Sequence, residues 1–443
     1  MPVIKSVSGL RATLDGSLNE QLIKEYINAL SIVVEDGTIA IGRDGRPSGE
    51  WIGKLVIDEL ISNGFNVINL GIVPTPTVQL IVEKYNCRAG ISITASHNPD
   101  NWNGIKFINS NGIFFDQDEN KLIWDNLGKS PIKSDLKGEV IDNINSQDFH
   151  IDLILDNILI QNVINDIRKR KFKVVIDCVN AAASVIAPKL LREFGCEVVE
   201  LNCNGSGLFP HNPEPLTENL SELRYNVKEL SADLGIAIDP DGDRLVLIDE
   251  NGDAIGEEKT VCIAIESVLM QKKGNVTVNY STTNLSKIIA KKYGAKFFKA
   301  PVGEINVVKK MKETHSIIGG EGSGGVIFPE IHYGRDALVG IGLLLRLLTI
   351  KNQSLSELNK NYPKLEMIKT KQEFYGDIDN IKAKIKEKYY NATIIEEDGI
   401  VINLGNDWLQ IRKSNTEPII RIIAESSSKE KAQSLINSIK EFV

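Results

Sequence analysis

Three aspartates alternate in the segment Ile238-Asp239-Pro240-Asp241-Gly242-Asp243-Arg244. An apolar strand pattern, Gly235–Ile238, leads into it, and another, Leu245–Asp249, leads away. Pro240 and Gly242 demand a tight loop, so the three carboxylates converge. Acids this close repel one another unless a cation sits among them, and an oxygen-only ligand set suits Mg²⁺ or another hard cation. An EF-hand reading, with Glu250 as the twelfth residue, fails because Arg244 stands where that loop needs glycine. A solvated acidic turn is the bland alternative.

Three other loops carry reactive or polar residues. Thr94-Ala95-Ser96-His97-Asn98-Pro99 follows the strand pattern Gly90–Ile93. It lacks the G-x-S-x-G of an esterase, which leaves a phosphate-carrying serine or an ordinary Asn-Pro turn. A phosphate there would want a metal and cationic donors; the acidic loop offers the first, and His97, Lys106 and Arg11 the second. Gly319-Gly320-Glu321-Gly322-Ser323-Gly324-Gly325 lets backbone approach a ligand closely. It has neither a P-loop ending nor a dinucleotide fingerprint, and Glu321 is its one strong acceptor, suited to taking two sugar hydroxyls. Arg412-Lys413-Ser414-Asn415-Thr416-Glu417-Pro418 sets small polar residues beside fixed cations, with Arg421 on the next strand, as an anion cradle would. Each of the last two also reads as a plain turn.

The elements that must position these loops repeat. Thr38–Gly42, Ser48–Ser62, Gly64 and Phe65–Leu70 read as strand, helix, glycine cap and strand. Phe172–Cys178, Ala183–Phe194, Gly195 and Cys196–Leu201 repeat the order, as do Asn275–Tyr280, Leu285–Tyr293, Gly294 and Ala295–Phe298. Such βαβ units build mixed or parallel sheets covered by helices. The tail differs: Gly399–Leu404 and Trp408–Arg412 flank a Gly405-Asn406-Asp407 turn, Pro418–Ala424 is a further strand, and Ser428–Val443 is an amphipathic helix. The chain therefore reads as three related α/β domains, 1–150, 151–252 and 253–365, and a smaller α+β domain, 366–443. The serine, metal, sugar and phosphate loops fall one on each.

Composition narrows the class. The 443 residues are 42% hydrophobic and 25% charged, ordinary for a globular chain. A net charge of −8 argues against nucleic acid as partner. Five cysteines without C-x-x-C spacing fit a reducing compartment and no zinc site. The start, Met-Pro-Val-Ile-Lys, shows no signal-peptide pattern. The most apolar stretch, Ala337–Leu345, stops at Arg346, far short of the about 20 residues that span a bilayer. A cytoplasmic protein with no membrane partner is expected.

Taken in order, the four loops resemble the α-D-phosphohexomutase family of phosphoglucomutases, phosphomannomutases and phosphoglucosamine mutases. The likeness runs from Ser8-Gly9-Leu10-Arg11 to Arg421. It includes Gly42-Arg43-Asp44-Gly45-Arg46, Phe209-Pro210-His211-Asn212-Pro213-Glu214-Pro215 and Pro301-Val302-Gly303. The resemblance implies a heart-shaped, four-domain molecule and a phosphohexose mutase working through a 1,6-bisphosphate. Phosphorylated Ser96 would be the donor, with one Mg²⁺ held by Asp239, Asp241, Asp243 and a phosphoserine oxygen. Glu321 and Ser323 would read the sugar, and Arg412, Ser414, Asn415 and Thr416 would hold the distal phosphate. Arg11, Lys106 and Arg244 would stabilise the transferred group or move protons near it. Glucosamine 6-phosphate is the expected substrate, suggested by residues 322–329 and 332–336. A phosphomannomutase/phosphoglucomutase is the runner-up, and a metal-dependent sugar phosphatase or a silent sugar-phosphate sensor are the rival classes. A monomer or homodimer is expected. Two departures stand out: Gly325 replaces a histidine common in the family, and Ser8–Arg11 is a loose version of its usual segment.

Overall fold

The computed structural model describes residues 3–6, 9–131, 137–142, 144–374, 376–413 and 419–442. Within these, four sheets follow one another along the chain. In the first, Thr38–Arg43 pairs in parallel with Asn66–Ile72 and Ala89–Ile93. Trp102–Asn109 then returns antiparallel to Ala89–Ile93 and continues into the hairpin Ile4–Ser6 and Gly9–Thr13. The second sheet sets Lys173–Asp177 parallel to Glu197–Leu201 and Leu234–Ile238, with Leu245–Asp249 antiparallel at the edge. The third repeats this with Asn275–Asn279, Phe297–Ala300, Ser316–Glu321 and the antiparallel Gly325–Ile327. The fourth is antiparallel throughout, from Glu366–Glu373 to Thr393–Ile395.

One placement recurs. In each of the first three sheets a parallel strand is followed by an antiparallel neighbour, and the connection between them carries the polar loop: 94–101, 239–244 and 322–324. In the fourth the loop lies between Asp407–Lys413 and Ile419–Ser426; its residues 414–418 lie outside the described residues. A reversal at a strand end gathers short side chains while the flanking ladder fixes the backbone, and here Ser96 and the three aspartates are buried.

The helix-ending glycines behave as their positions require: Gly64, Gly195 and Gly294 have φ of 90°, 76° and 69°, where a Cβ would be strained. Three boundaries differ from expectation. The stretch expected as one helix over Ala183–Phe194 splits into a 3₁₀ turn, Ala182–Ser184, and a helix, Ile186–Glu193. Pro188 explains the break, because its ring conflicts with the carbonyl of Ser184 in a continuous helix. The tail hairpin turns over Gly405 and Asn406 alone, since Asp407 already pairs with Leu404. The last helix covers Lys429–Asn437, with a 3₁₀ turn at Lys440–Phe442; Val443 lies outside the described residues.

The apolar helix runs past Arg346, from Ala337 to Lys351. Arg346 is buried yet satisfied, donating to the carbonyls of Leu159 and Ser267 and, at 2.6 Å, to Gln271 Oε1. The second and third sheets share one apolar core around this helix, while the first and fourth have their own. Asp336 starts the helix: its Oδ1 accepts from the amides of Leu338 (2.8 Å) and Val339 (3.2 Å). Its Oδ2 accepts from His150 Nε2 (2.7 Å) and His332 Nε2 (3.0 Å), and His150 Nδ1 meets Thr77 Oγ1 at 2.9 Å. All four side chains are buried. Asp336→Ala would leave one nitrogen of each imidazole and two amides of the helix start without their acceptor. We expect a loss of about 3–5 kcal/mol, read from the denaturant midpoint; a loss under about 1 kcal/mol would show that the junction relaxes without it.

Candidate active site

Ser96 sits in the left-handed region, at φ +52°, just beyond the end of Ala89–Ile93. A non-glycine residue holds such a conformation only where its surroundings insist, and here they do. The Ser96 amide donates to Thr94 Oγ1 at 2.8 Å, and Thr94 Oγ1 donates to Asp44 Oδ2 at 2.6 Å. Arg46 pairs with Asp44 and donates to the carbonyls of Ser96 (2.9 Å) and Asn98. Asp44 and Arg46 are both buried. In the sequence they stand in the family-like segment Gly42–Arg46 without an assigned role, although an Asp and an Arg directly after an apolar strand must find each other if buried. Lysine offers one point charge where the planar fork of Arg46 reaches two carbonyls and a carboxylate. Arg46→Lys should therefore lower kcat by about 100-fold through misplacement of the serine. A kcat within twofold of the parent would refute that role.

Each of the three aspartates has one oxygen tied to protein and one bare. Asp239 Oδ1 accepts from the amides of Asp243 (3.1 Å) and Arg244 (3.0 Å). Asp241 Oδ2 receives Lys106 Nζ at 2.5 Å and Thr75 Oγ1 at 3.3 Å. Asp243 Oδ2 receives Arg335 Nη2 at 2.5 Å. The opposite oxygens, Asp239 Oδ2, Asp241 Oδ1 and Asp243 Oδ1, are buried without a hydrogen bond. Ligand atoms of the three lie within 4.8 Å of one another. Three bare, buried carboxylate oxygens are costly unless a hard cation takes them, so the donor set fits a divalent ion. Burial and the two neighbouring acids raise the Asp239 pKa well above the carboxylate range. For Asp241 burial acts in the same direction, but the Lys106 ammonium outweighs it and holds that carboxyl low.

Cations ring this cage. Arg244 Nε lies 3.9 Å from Asp239 and 3.8 Å from Asp243, and its Nη1 lies 3.8 Å from Glu214. Arg11 donates to Asn98 Oδ1 at 3.0 Å, which ties the strand Gly9–Thr13 to the serine loop. His97 Nδ1 is 3.2 Å from Ser96 Oγ, and its Nε2 is 3.7 Å from Glu214. Desolvation, then the charges of Arg244 and Arg11, push the His97 pKa well below its ordinary value. Burial and these charges thus disfavour the imidazolium form of the ring.

Glu321 ends the strand Ser316–Glu321. Its Oε1 accepts from Asn279 Nδ2 (2.7 Å) and the Gly303 amide (2.9 Å), and its Oε2 accepts from Arg335 Nη1 at 2.5 Å. Three of the four acceptor positions of a carboxylate are thus filled. The expectation that Glu321 takes two sugar hydroxyls needs correcting: in this arrangement it has room for one. Ser323 is half-buried on the same loop. In the fourth domain, Arg412 Nη1 lies 3.3 and 3.4 Å from the two oxygens of Asp398. Arg421 sits directly across the ladder from Arg412, so both cations share one face beside the loop 414–418. Ser414, Asn415 and Thr416 lie outside the described residues. Asp398 also accepts from the Val302 amide at 3.1 Å, which links the third and fourth domains.

A continuous polar path thus crosses all four domains, from Ser96 through His97, Glu214, Arg244, Asp243, Arg335, Glu321, Gly303, Val302 and Asp398 to Arg412. Glu214, Arg335 and Asp398 were not read as site residues. A lone charge gives little signal when its partners are distant in sequence.

A serine loop, an acidic cage, a glycine-rich loop bearing Glu321 and a pair of arginines thus lie on four successive sheets. Models of the four phosphoglucomutase/phosphomannomutase domains match residues 3–131, 149–252, 257–365 and 369–442, the first three described as alpha/beta/alpha domains I to III and the last as the C-terminal domain. The chain belongs to the phosphoglucomutase/phosphomannomutase family. A phosphoglucomutase/phosphomannomutase of Thermococcus kodakarensis is 37% identical, over 94% of each chain. A phosphoglucosamine/phosphogalactosamine mutase of Sulfurisphaera tokodaii is 32% identical, over 97% of each. In fold, the chain matches a crystal structure of a phosphoglucomutase/phosphomannomutase family protein from Burkholderia thailandensis with a TM-score of 0.86 at 24% identity. That match covers 98% of this chain and 95% of the other. Among the described residues, no helix is long and apolar enough to cross a membrane.

Proposed function

We propose that the chain interconverts glucosamine 6-phosphate and glucosamine 1-phosphate, with phosphorylated Ser96 as donor and a hexose 1,6-bisphosphate as intermediate. The observation that carries the reading is the set of three bare aspartate oxygens, on a loop joined to the serine domain through Lys106 and Thr75. Asp239, Asp241, Asp243 and the phosphoserine would hold Mg²⁺, which when bound offsets charge on the transferring phosphoryl oxygens. Arg244 and Lys106 supply positive charge that can follow the group as it moves. His97 Nδ1, at 3.2 Å from Ser96 Oγ, stands where a proton can pass to and from the serine. Arg412 and Arg421, with residues 414–416, hold the phosphate that is not in transfer. Each loop is assigned to its own domain, 1–150, 151–252, 253–365 and 366–443.

The sugar is the finer question. Similar relatives carry names for glucose, mannose and glucosamine phosphates alike, and a single hydroxyl read by Glu321 does not separate the three. The test is kcat/KM of the phosphorylated protein on glucosamine 6-phosphate, mannose 1-phosphate and glucose 1-phosphate. The expected order places glucosamine 6-phosphate first by about tenfold or more. A reversed order favours the phosphomannomutase/phosphoglucomutase reading. Inorganic phosphate released without any isomer formed would overturn a mutase altogether.

A further inference from the structure

Gly325 has no side chain, and the space beside it is filled. A Cβ built there would run into Arg335 Cδ and stand 2.9 Å from its Cγ. The backbone of Arg335 is pinned alongside that strand, with a bridge to Ile327 and the Asp336 amide donating to the Val326 carbonyl at 2.9 Å. From this position its guanidinium reaches three acids on three segments. Nη2 meets Asp243 on the metal loop, Nη1 meets Glu321 at the strand end, each at 2.5 Å, and Nε meets Glu304 at 3.1 Å in the first turn of Glu304–Thr314. Its side chain is 11% exposed.

The donor count decides what is left for a ligand. A guanidinium has five N–H groups; three go to the acids, and one remains on each terminal nitrogen. Glu321 has one acceptor position unfilled, on the oxygen that Arg335 holds. A free donor and a free acceptor therefore stand side by side, matched to a pair of sugar hydroxyls of which one donates and the other accepts. Glu321 alone does not offer that pair.

We propose that Arg335 is a binding and positioning residue of the sugar site, and that Gly325 is the vacancy that lets it enter. This rests on the mutase reading above. It makes positions 325 and 335 one unit: a side chain at 325 meets the Cδ and Cγ of Arg335 and must displace the arm that carries the guanidinium.

The test is a double-mutant cycle read by calorimetry on the metal-free protein, with glucose 6-phosphate and inorganic phosphate as probes. Arg335→Met should weaken glucose 6-phosphate by tenfold or more while moving inorganic phosphate by less than twofold. Gly325→Ala should do the same, and the double variant should bind no more weakly than Arg335→Met alone. Additive losses overturn the proposal, as do equal losses for both probes or an Arg335→Met protein that binds like the parent. If Arg335→Met does not fold, Arg335→Lys keeps the charge without the fork. It should then lose at least threefold for glucose 6-phosphate, and parent-like affinity refutes the idea. A parent protein that binds inorganic phosphate but no hexose phosphate would instead sink the mutase reading itself, and this inference with it.

Discussion

Ser96→Ala should lose mutase turnover by a factor of about 10⁴ or more, and its intact mass should show no species heavier by the about 80 Da of a phosphoryl group. In the proposed mechanism the side-chain oxygen at 96 holds the phosphoryl between the two half-reactions, whereas the surrounding cations and carboxylates only position the sugar phosphate. The stability of the variant should stay within about 1 kcal/mol of the parent. The backbone at 96 is held by Thr94 and Arg46, which do not use the hydroxyl. Ser96→Gly provides the control. It relaxes the positive φ of 52°, so it should fold at least as well as alanine and be as inactive. A difference in activity between the two would mean that backbone geometry, not the oxygen, limits the reaction. Full turnover by Ser96→Ala with no bisphosphate added would end the phosphoserine mechanism.

What could be read from the sequence follows from how local each cause is. The βαβ units were legible because apolar periodicity and a glycine past each helix are set within a few residues, and Ser48–Ser62 begins and ends where expected. The aspartate cage was legible for the same reason, since Pro240 and Gly242 lie among its ligands. Arg46 and Arg335 were not, because their meaning lies in partners up to 92 positions away. The same holds for Glu321. Its type and loop suggested a hydroxyl acceptor, but its spare capacity depends on Asn279 and Gly303, which share no local pattern with it. Arg346 shows the converse. In sequence a charge closing an apolar run reads as a helix end, and in three dimensions its donors find carbonyls from two other segments and the helix continues.

The aspartate cage predicts a crossing of stabilities that ordinary surface acids would not give. In the metal-free protein, burial first, and then the neighbouring Asp243 and Asp241, disfavour the ionised form of Asp239. Asp239→Asn removes this ionisable group, yet its amide oxygen can still accept from the amides of Asp243 and Arg244, the bonds that close the loop. Without metal the variant should therefore melt at or above the parent's midpoint. With Mg²⁺ the order should invert. At 100 times its dissociation constant a ligand stabilises the native state by about 2.7 kcal/mol. The parent should gain that much, whereas the variant, with a neutral amide in place of one bare carboxylate oxygen, should gain little. Turnover of the variant should fall by about 10³-fold or more, the order expected when a main electrostatic contribution to the transition state is removed. The measurement is a pair of melting curves, with chelator and with Mg²⁺, for each protein. The cage would not be a metal site if the parent's midpoint ignored Mg²⁺, or if Asp239→Asn shifted with the ion as far as the parent does.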